Sequence, residues 1–196
     1  MSTVDDAASR IALDFKNSME IFPDRSRLVV GGTEMAFHCD KFNTRITKSL
    51  EDVLGIEEGG ELLRSSAERT THAFLSKFLS DGETKATFEA LPPPDRLQAI
   101  FRIFKVLAYG ALETAELGEK RSVFRSTSTY LSEGWLENQK RWHWEDREAP
   151  VCHDIRGYLG AALALAFDKP AGSYRLVETR CRAMGQEVCE FIAEVI

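Results

Sequence analysis

The sequence predicts an α+β fold in which helices pack on one side of an antiparallel sheet. Apolar residues recur with a helical period through residues 42–107, and with a period close to two after residue 109 and again near the C-terminus. The chain has 196 residues, of which 43% are hydrophobic and 29% are charged. This composition is typical of a globular protein, and the length suits a single domain over residues 1–196.

The N-terminal part predicts a helix followed by a hairpin. Ile11, Phe15 and Met19 have the spacing of a short amphipathic helix that ends before Pro23. Two short apolar runs within residues 27–38 then flank a pair of glycines at 31 and 32. Because glycine readily adopts positive φ, this pair predicts a tight turn between two antiparallel strands.

The middle of the chain predicts three helices and then strands. The helical stripes cover residues 42–54, 62–79 and 95–107, and we expect Asp95 to cap the third helix after three consecutive prolines. From Tyr109 to Trp135 the apolar residues alternate and glycines separate the alternating runs, which predicts two or three strands.

The last fifty residues predict one buried helix and a closing hairpin. Pro150 suits the first turn of a helix that continues through Phe167, because that turn tolerates a missing N–H. The helix is apolar all round, and Gly157 and Gly160 lie one turn apart, so we expect close packing in the core. Alternation over residues 173–179 and 189–196 predicts the two final strands.

Composition narrows the function classes. The net charge of −6 argues against direct nucleic-acid binding. The longest apolar stretch, Ile155 to Phe167, falls short of the roughly twenty residues that a membrane span needs. The N-terminus lacks the layout of a signal peptide, so we expect a cytoplasmic protein whose cysteines are thiols or metal ligands. Catalytic fingerprints are missing, which favours a non-catalytic protein.

The C-terminal cysteines form a candidate metal site with one glutamate. Zinc accepts four ligands in a tetrahedron, and thiolates with a carboxylate are a suitable set. On an unbroken strand Glu178 and Cys181 would face opposite sides, so they converge only if the chain leaves the extended conformation near Arg180. Gly185 supplies the flexibility for a return to Cys189. Spacing alone does not decide between three roles for these cysteines: a zinc site, a disulfide between Cys181 and Cys189, or inert buried thiols.

Two neighbouring features would favour metal binding. We expect Cys152 to be about the third residue of its helix, where free N–H groups and the helix dipole favour a thiolate. Arg180 and Arg182 flank Cys181 and could offset the negative surplus of such a ligand set.

The same segments carry a resemblance to a known family. Glu148–Cys152, Gly157-Tyr158, Glu178–Arg182 and Gly185–Cys189 resemble the V4R (4-vinyl reductase) domain, with the strongest match over residues 148–196. They are most similar to the version found in phenol- and xylene-responsive bacterial transcription activators. The resemblance implies a structural zinc ion held by Cys152, Glu178, Cys181 and Cys189. It also implies the fold of TRAPP vesicle-tethering subunits, which dimerise and can enclose a hydrophobic ligand.

The resemblance therefore implies a function. We expect a zinc-stabilised, non-catalytic sensor or carrier that binds a small apolar or aromatic ligand and acts through a homodimer or a separate signalling partner. The family takes its name from bacteriochlorophyll synthesis, so an accessory role in tetrapyrrole metabolism, binding a porphyrin-like intermediate, is an alternative. A TRAPP-like protein-interaction scaffold is a second alternative.

The ligand site is less defined than the metal site. Phe74, Phe101 and Phe104 lie at helical spacing, which suits core packing and equally suits the wall of an apolar cavity. Phenol-responsive members grip the phenol hydroxyl with a histidine and a tryptophan, and neither His72 nor Trp135 falls at the matching place.

Three other residues complete the candidates. We expect Cys39, at the end of a predicted strand, to be a free buried thiol. His153 follows Cys152 directly but points about 100° away on a helix, so we do not expect it to share the metal. His143, between two tryptophans, is a candidate for ligand contact or for simple surface packing.

Overall fold

The computed structural model describes residues 3–36, 38–118 and 120–196. Its α-helices, in chain order, are α1 (Thr3–Asn17), α2 (Asp40–Leu54), α3 (Ile56–Leu79), α4 (Gly82–Glu89), α5 (Pro93–Val106), α6 (Tyr130–Trp142) and α7 (His153–Ala166). Its strands are β1 (Glu20–Phe22), β2 (Arg27–Val30), β3 (Thr33–Met35), β4 (Gly110–Leu117), β5 (Arg121–Thr129), β6 (Tyr174–Arg180) and β7 (Cys189–Val195). The predicted α+β class is confirmed.

A small antiparallel sheet lies near the N-terminus. Its strand order is β1-β2-β3, and the predicted hairpin between β2 and β3 is present. Gly31 and Gly32 have φ values of 55° and 71°, the positive values that a two-residue turn requires. The hairpin ends at Met35, and Phe37 lies outside the described residues. The expectation for Cys39 was wrong: it is exposed and precedes the first residue of α2, because the chain has already left the sheet.

The larger sheet has the order β4-β5-β7-β6, and every neighbouring pair is antiparallel. The predicted closing hairpin is therefore confirmed. Along β7 the side chains alternate: Cys189 and Phe191 are buried, whereas Glu190 faces outward and pairs with Arg125 of β5. The inner face packs against α5 and α7, so the core lies between this sheet and the helices.

Three boundaries differ from the sequence-based expectation. The alternation after Tyr109 predicts strands as far as Trp135, but a helix, α6, begins at Tyr130, because Thr129 and Ser132 cap its first turn reciprocally. Helix α5 begins at Pro93, so Asp95 lies inside the first turn. Helix α7 begins at His153, three residues after Pro150, where it was expected to begin, so Cys152 is its N-cap and not a residue inside the helix.

Glycines allow α3 and α7 to pack closely, as the sequence predicted for α7. A Cβ atom at Gly157 would lie 2.3 Å from the Arg64 carbonyl oxygen of α3, and one at Gly160 would lie 2.9 Å from Glu68. A Cβ at Gly60 of α3 would in turn collide with His153. The close approach holds the first turn of α7 firmly in place. None of the helices in the described part of the chain is long and apolar enough to cross a bilayer.

Candidate metal centre and aromatic cleft

The fold brings the four predicted ligands together in the core. One candidate ligand atom from each of Cys152, Glu178, Cys181 and Cys189 lies within 4.8 Å of the other three. All four side chains are buried, and Glu178 is the most exposed of them at 5%. The Sγ atoms of Cys152 and Cys189 are 3.7 Å apart, beyond the reach of a disulfide bond. The residues come from the start of α7 and from the hairpin of β6 and β7.

A bulge in β6 turns Glu178 and Cys181 toward the same side. Glu178 pairs with Phe191 of β7 and Arg180 pairs with the adjacent residue, Glu190. Thr179, between them, is therefore the extra residue of a β-bulge. This extra residue reverses the strand alternation and lets both ligands face inward. The chain then makes a 3-10 turn over Arg182–Met184 and returns at Gly185, whose φ is 79°. The expected departure from extended structure and the glycine return are both observed.

Burial dominates the electrostatics of the cluster. Loss of solvent raises the pKa of the Cys152 thiol and of the Glu178 carboxyl well above their ordinary values. Hydrogen bonds from Cys152 and then from Cys181 lower the pKa of Cys189 to about 5. A bound cation would oppose the upward pKa shifts of Cys152 and Glu178 and would favour release of their protons.

The donor set and its spacing fit zinc. Two sulfur ligands about 2.3 Å from a tetrahedral zinc ion lie about 3.8 Å from each other, which agrees with the distance between Cys152 and Cys189. Glu178 accepts the Cys152 backbone N–H through Oε2 at 2.9 Å, while its Oε1 is buried and has no hydrogen-bond partner within the described part of the chain. A buried carboxylate oxygen normally has a partner, so Oε1 is available as the fourth ligand atom.

Neighbouring groups hold the cysteine sulfurs in place. The Thr129 hydroxyl lies 3.2 Å from Cys152 Sγ, and the backbone N–H of Arg182 donates to Cys189 Sγ at 3.4 Å. The Arg182 side chain instead pairs with Glu133 at 2.8 Å. Compensation of the negative charge by the Arg182 guanidinium is therefore weaker than the sequence suggested.

An aromatic cleft of about 450 Å³ is lined in part by Tyr158 of α7, the helix that Cys152 of the cluster caps. Its wall includes Tyr109, Tyr130 and Tyr158, together with Met35 and Leu107. The rings of Tyr109 and Tyr158 stack with centroids 4.3 Å apart and present a flat aromatic surface.

Tyrosine hydroxyls form a partly buried polar network at the wall of the aromatic cleft. Tyr130 donates to Asp154 at 2.9 Å and lies 3.2 Å from the Tyr158 hydroxyl. Burial raises the pKa of Tyr130 and of Asp154. The cleft therefore pairs aromatic rings with polar groups, which include His38, Asp40 and Asn43 as well as the tyrosine hydroxyls.

The aromatic residues named from the sequence lie behind this cleft. Phe101 and Phe104 are buried core residues of α5, and Phe74 of α3 is partly buried and contacts Phe15. Phe104 packs against Tyr109 and Tyr158, at centroid distances of 5.7 Å and 6.0 Å, and so supports the wall from within. Their role in ligand binding stays a prediction.

Sequence reasoning placed Tyr109 among the aromatic residues that could line a cavity, but it did not single out Tyr130 or Tyr158 for the ligand site. Tyr109 begins the predicted strand region and Tyr130 lies inside it, whereas Tyr158 belongs to the segment that resembles the family. Tyr158 was therefore within reach of the sequence argument, as part of the quoted Gly157-Tyr158 pair.

The remaining candidates lie elsewhere. Trp135 packs against Trp144 and under the guanidinium of Arg147. His72 of α3 is partly buried, and its Nδ1 lies 3.5 Å from the Ser76 hydroxyl. His143 is exposed at the end of α6.

His153 does not join the metal cluster, in agreement with the expectation. Its Nε2 lies 2.7 Å from the Glu51 carboxylate, which also accepts two hydrogen bonds from Arg147. These three side chains form a buried polar group that ties α2 to the start of α7.

Two solved structures are similar to this chain in fold. Along its full length, the chain is similar to the crystal structure of the phenol-responsive sensory domain of the transcription activator PoxR with phenol, with a TM-score of 0.74 and 15% identity over 91% of that chain. It is also similar, over 80% of its length, to a trafficking protein particle complex subunit 3 from Naegleria fowleri covalently bound to palmitic acid, with a TM-score of 0.50 and 12% identity over 95% of that chain. At these identities the likeness establishes a shared fold. No curated protein matches by sequence.

The family resemblance lies in the part of the chain that holds the cluster. Three of its four residues are on or beside β6 and β7, and the fourth begins α7. Residues 135–195 match the V4R domain, a range that includes all four, so the predicted resemblance to the V4R family is confirmed.

Proposed function

We propose that this chain is a non-catalytic sensory or carrier domain that binds a small aromatic ligand and is stabilised by zinc. The aromatic cleft carries the proposal, because it combines stacked rings with partly buried hydroxyl groups next to the segment that resembles the V4R domain. The likeness in fold to a phenol-responsive sensory domain supports the same ligand class. The aromatic cleft of this chain has a volume of about 450 Å³, which lies within the range of small-molecule pockets.

The ligand that suits this cleft is an aromatic ring with one hydroxyl group. The ring would stack on Tyr109 or Tyr158, and the hydroxyl would exchange hydrogen bonds with Tyr130 and Tyr158. Such a ligand gains apolar burial from the ring and specificity from the hydroxyl, since an analogue without the hydroxyl leaves a buried polar group unpaired.

Zinc in this proposal is structural. Cys152, Glu178, Cys181 and Cys189 would hold the ion and would join the start of α7 to the final hairpin. Four protein ligands leave no open position for a substrate, which is the pattern of structural sites. The ion would supply folding energy and would fix the turn of α7 that carries Asp154 and Tyr158.

Phenol binding, measured by titration calorimetry on the zinc-loaded protein, tests the ligand class. We expect phenol to bind more tightly than toluene, and Tyr158→Phe to weaken phenol binding by about fivefold to tenfold while leaving toluene unchanged, since one neutral hydrogen bond contributes about 1 kcal/mol. Equal binding of phenol and toluene, or no effect of the variant, would contradict the proposed site.

Metal content and assembly are measured together by native mass spectrometry of the purified protein. We expect one zinc ion per chain and a homodimer acting in the cytoplasm with a separate signalling partner. A retained porphyrin with a visible absorption band would favour the tetrapyrrole role instead. A zinc-free protein would remove the metal from the proposal.

A further inference from the structure

The proposed zinc site has an excess of negative charge that must be balanced inside the core. Three thiolates and one carboxylate around a divalent ion leave two negative charges, and the four side chains are buried. An uncompensated charge at such a position is costly, so a neighbouring cation is expected. We propose that Arg156 is this cation and that its guanidinium tunes the zinc affinity of the cluster. The inference rests on the proposed zinc site.

Helix geometry directs Arg156 toward the cluster. Arg156 lies one turn after Cys152, and its backbone N–H donates to the Cys152 carbonyl oxygen at 3.1 Å. Long side chains on helices lean toward the N-terminus, which here is the end that carries Cys152. Arg156 and Glu178 line the same second cleft, of about 440 Å³.

Both side chains have a buried atom with unused hydrogen-bonding capacity. Arg156 Nε, a donor, and Glu178 Oε1, an acceptor, are buried, and neither has a hydrogen-bond partner among the residues that the structure describes. Buried polar atoms without partners are rare, and two of opposite character beside one cleft indicate a shared electrostatic environment. Burial lowers the pKa of Arg156, and the neighbouring acidic groups, Glu178 first, oppose this shift.

A relay of hydrogen bonds holds Arg156 without neutralising it. Its Nη2 donates to His153 Nδ1 at 2.8 Å, and His153 Nε2 in turn donates to Glu51 at 2.7 Å. This pattern requires the tautomer of His153 that carries its proton on Nε2. Among the residues that the structure describes, no carboxylate forms an ion pair with Arg156, while the neighbouring Arg147 and Arg182 pair with Glu51 and Glu133. The Arg156 charge therefore remains available to the metal centre.

Zinc affinity of three variants tests this role, measured by competition with a chromophoric chelator. Arg156→Gln removes the charge and is expected to weaken zinc binding about tenfold to 100-fold, the usual effect of losing a group beside the metal ligands. Arg156→Lys keeps the charge and should lie closer to wild type than to Arg156→Gln. Arg175→Gln is the matched control, because Arg175 lines the same cleft but is exposed and paired with Glu194; we expect no change.

The absorption spectrum after cobalt substitution distinguishes charge compensation from distortion of the site. Arg156→Gln should keep the thiolate-to-cobalt bands of wild type, because the ligands are unchanged and only the affinity falls. An altered spectrum, an unchanged zinc affinity, or an equal loss in the Lys and Gln variants would overturn the proposal. If Arg156→Gln does not fold, the zinc affinity of Arg156→Lys tests the proposal instead. A zinc affinity of Arg156→Lys at least tenfold below that of wild type would rule out compensation by charge. A wild-type protein that binds neither metal would refute the zinc site itself.

Discussion

Replacement of Glu178 by glutamine separates a metal ligand from a buried structural residue, because the two roles predict different responses to zinc. Glutamine has nearly the same shape, and its carbonyl oxygen can still accept the Cys152 N–H, now 2.9 Å from Oε2. It removes the anionic oxygen that would bind the ion. The variant therefore alters the proposed metal site while it leaves the packing of β6 nearly intact.

The expected magnitude follows from the donor set. Structural zinc binding contributes about 10–16 kcal/mol in small zinc domains, so each of four ligands accounts for about 3 kcal/mol. With saturating zinc we expect Glu178→Gln to lower the free energy of unfolding by about 3 kcal/mol. With chelator we expect a change within about 1 kcal/mol, because burial already disfavours the charged carboxylate and raises the pKa of Glu178.

Urea unfolding, with and without chelator, measures both values. Glu190→Gln serves as the control, since its partly exposed ion pair with Arg125 should contribute about 0–1 kcal/mol in either condition. An equal loss with and without zinc would show that Glu178 acts through packing or hydrogen bonding, and the metal assignment would then be wrong.

Three further predictions concern the framework around the site. Gly157→Ala should lower the free energy of unfolding in urea by about 1–3 kcal/mol, although alanine favours an exposed helix, because its Cβ would lie 2.3 Å from the Arg64 carbonyl oxygen; stabilisation would contradict close packing of α3 and α7. Burial tends to raise the pKa of Glu51, but hydrogen bonds from its partners outweigh this and lower it. The ionised Glu51 therefore stabilises the fold above about pH 4.5, and this contribution is lost as the pH falls through the lowered pKa of the folded state. In Glu51→Gln the free energy of unfolding should fall less steeply between pH 4.5 and lower pH than it does in wild type. Thr129→Val should lower the free energy of unfolding in urea by about 1 kcal/mol, because it removes the cap of α6. Thr129→Ser keeps the hydroxyl and should be as stable as wild type; equal stability of the two variants would exclude a capping role.

The sequence was most informative where a local pattern was sufficient. Alternation fixed β6 and β7, and the spacing from Glu178 to Cys189, together with the family resemblance, identified a set of residues that the fold brings together. Helix α6 was missed because Gly134 resembles the punctuation between strands. In the structure Gly134 is a helical residue whose missing Cβ admits Thr44 of α2 at close range. The reciprocal capping pair at Thr129 was the available signal.

The polar group beside the cluster could not be predicted from spacing. Glu51 and His153 are 102 positions apart, and nothing local in either segment indicates that they meet. Tyr109, Tyr130 and Tyr158 are separated in the same way and converge only when α5, α6 and α7 are packed. Such long-range pairs depend on the relative placement of helices, which the apolar periodicity of each helix leaves undetermined.

The distribution of the four ligands along the chain has a consequence for folding. Glu178, Cys181 and Cys189 lie within twelve consecutive residues, whereas Cys152 is 37 positions from Cys189. Since the entropy of loop closure grows with the logarithm of loop length, recruiting Cys152 costs about 1 kcal/mol more than joining the two ends of the short segment. If these residues hold zinc as proposed, the C-terminal hairpin would bind the ion first with three ligands, and the entry of Cys152 would then commit α7 to its final position.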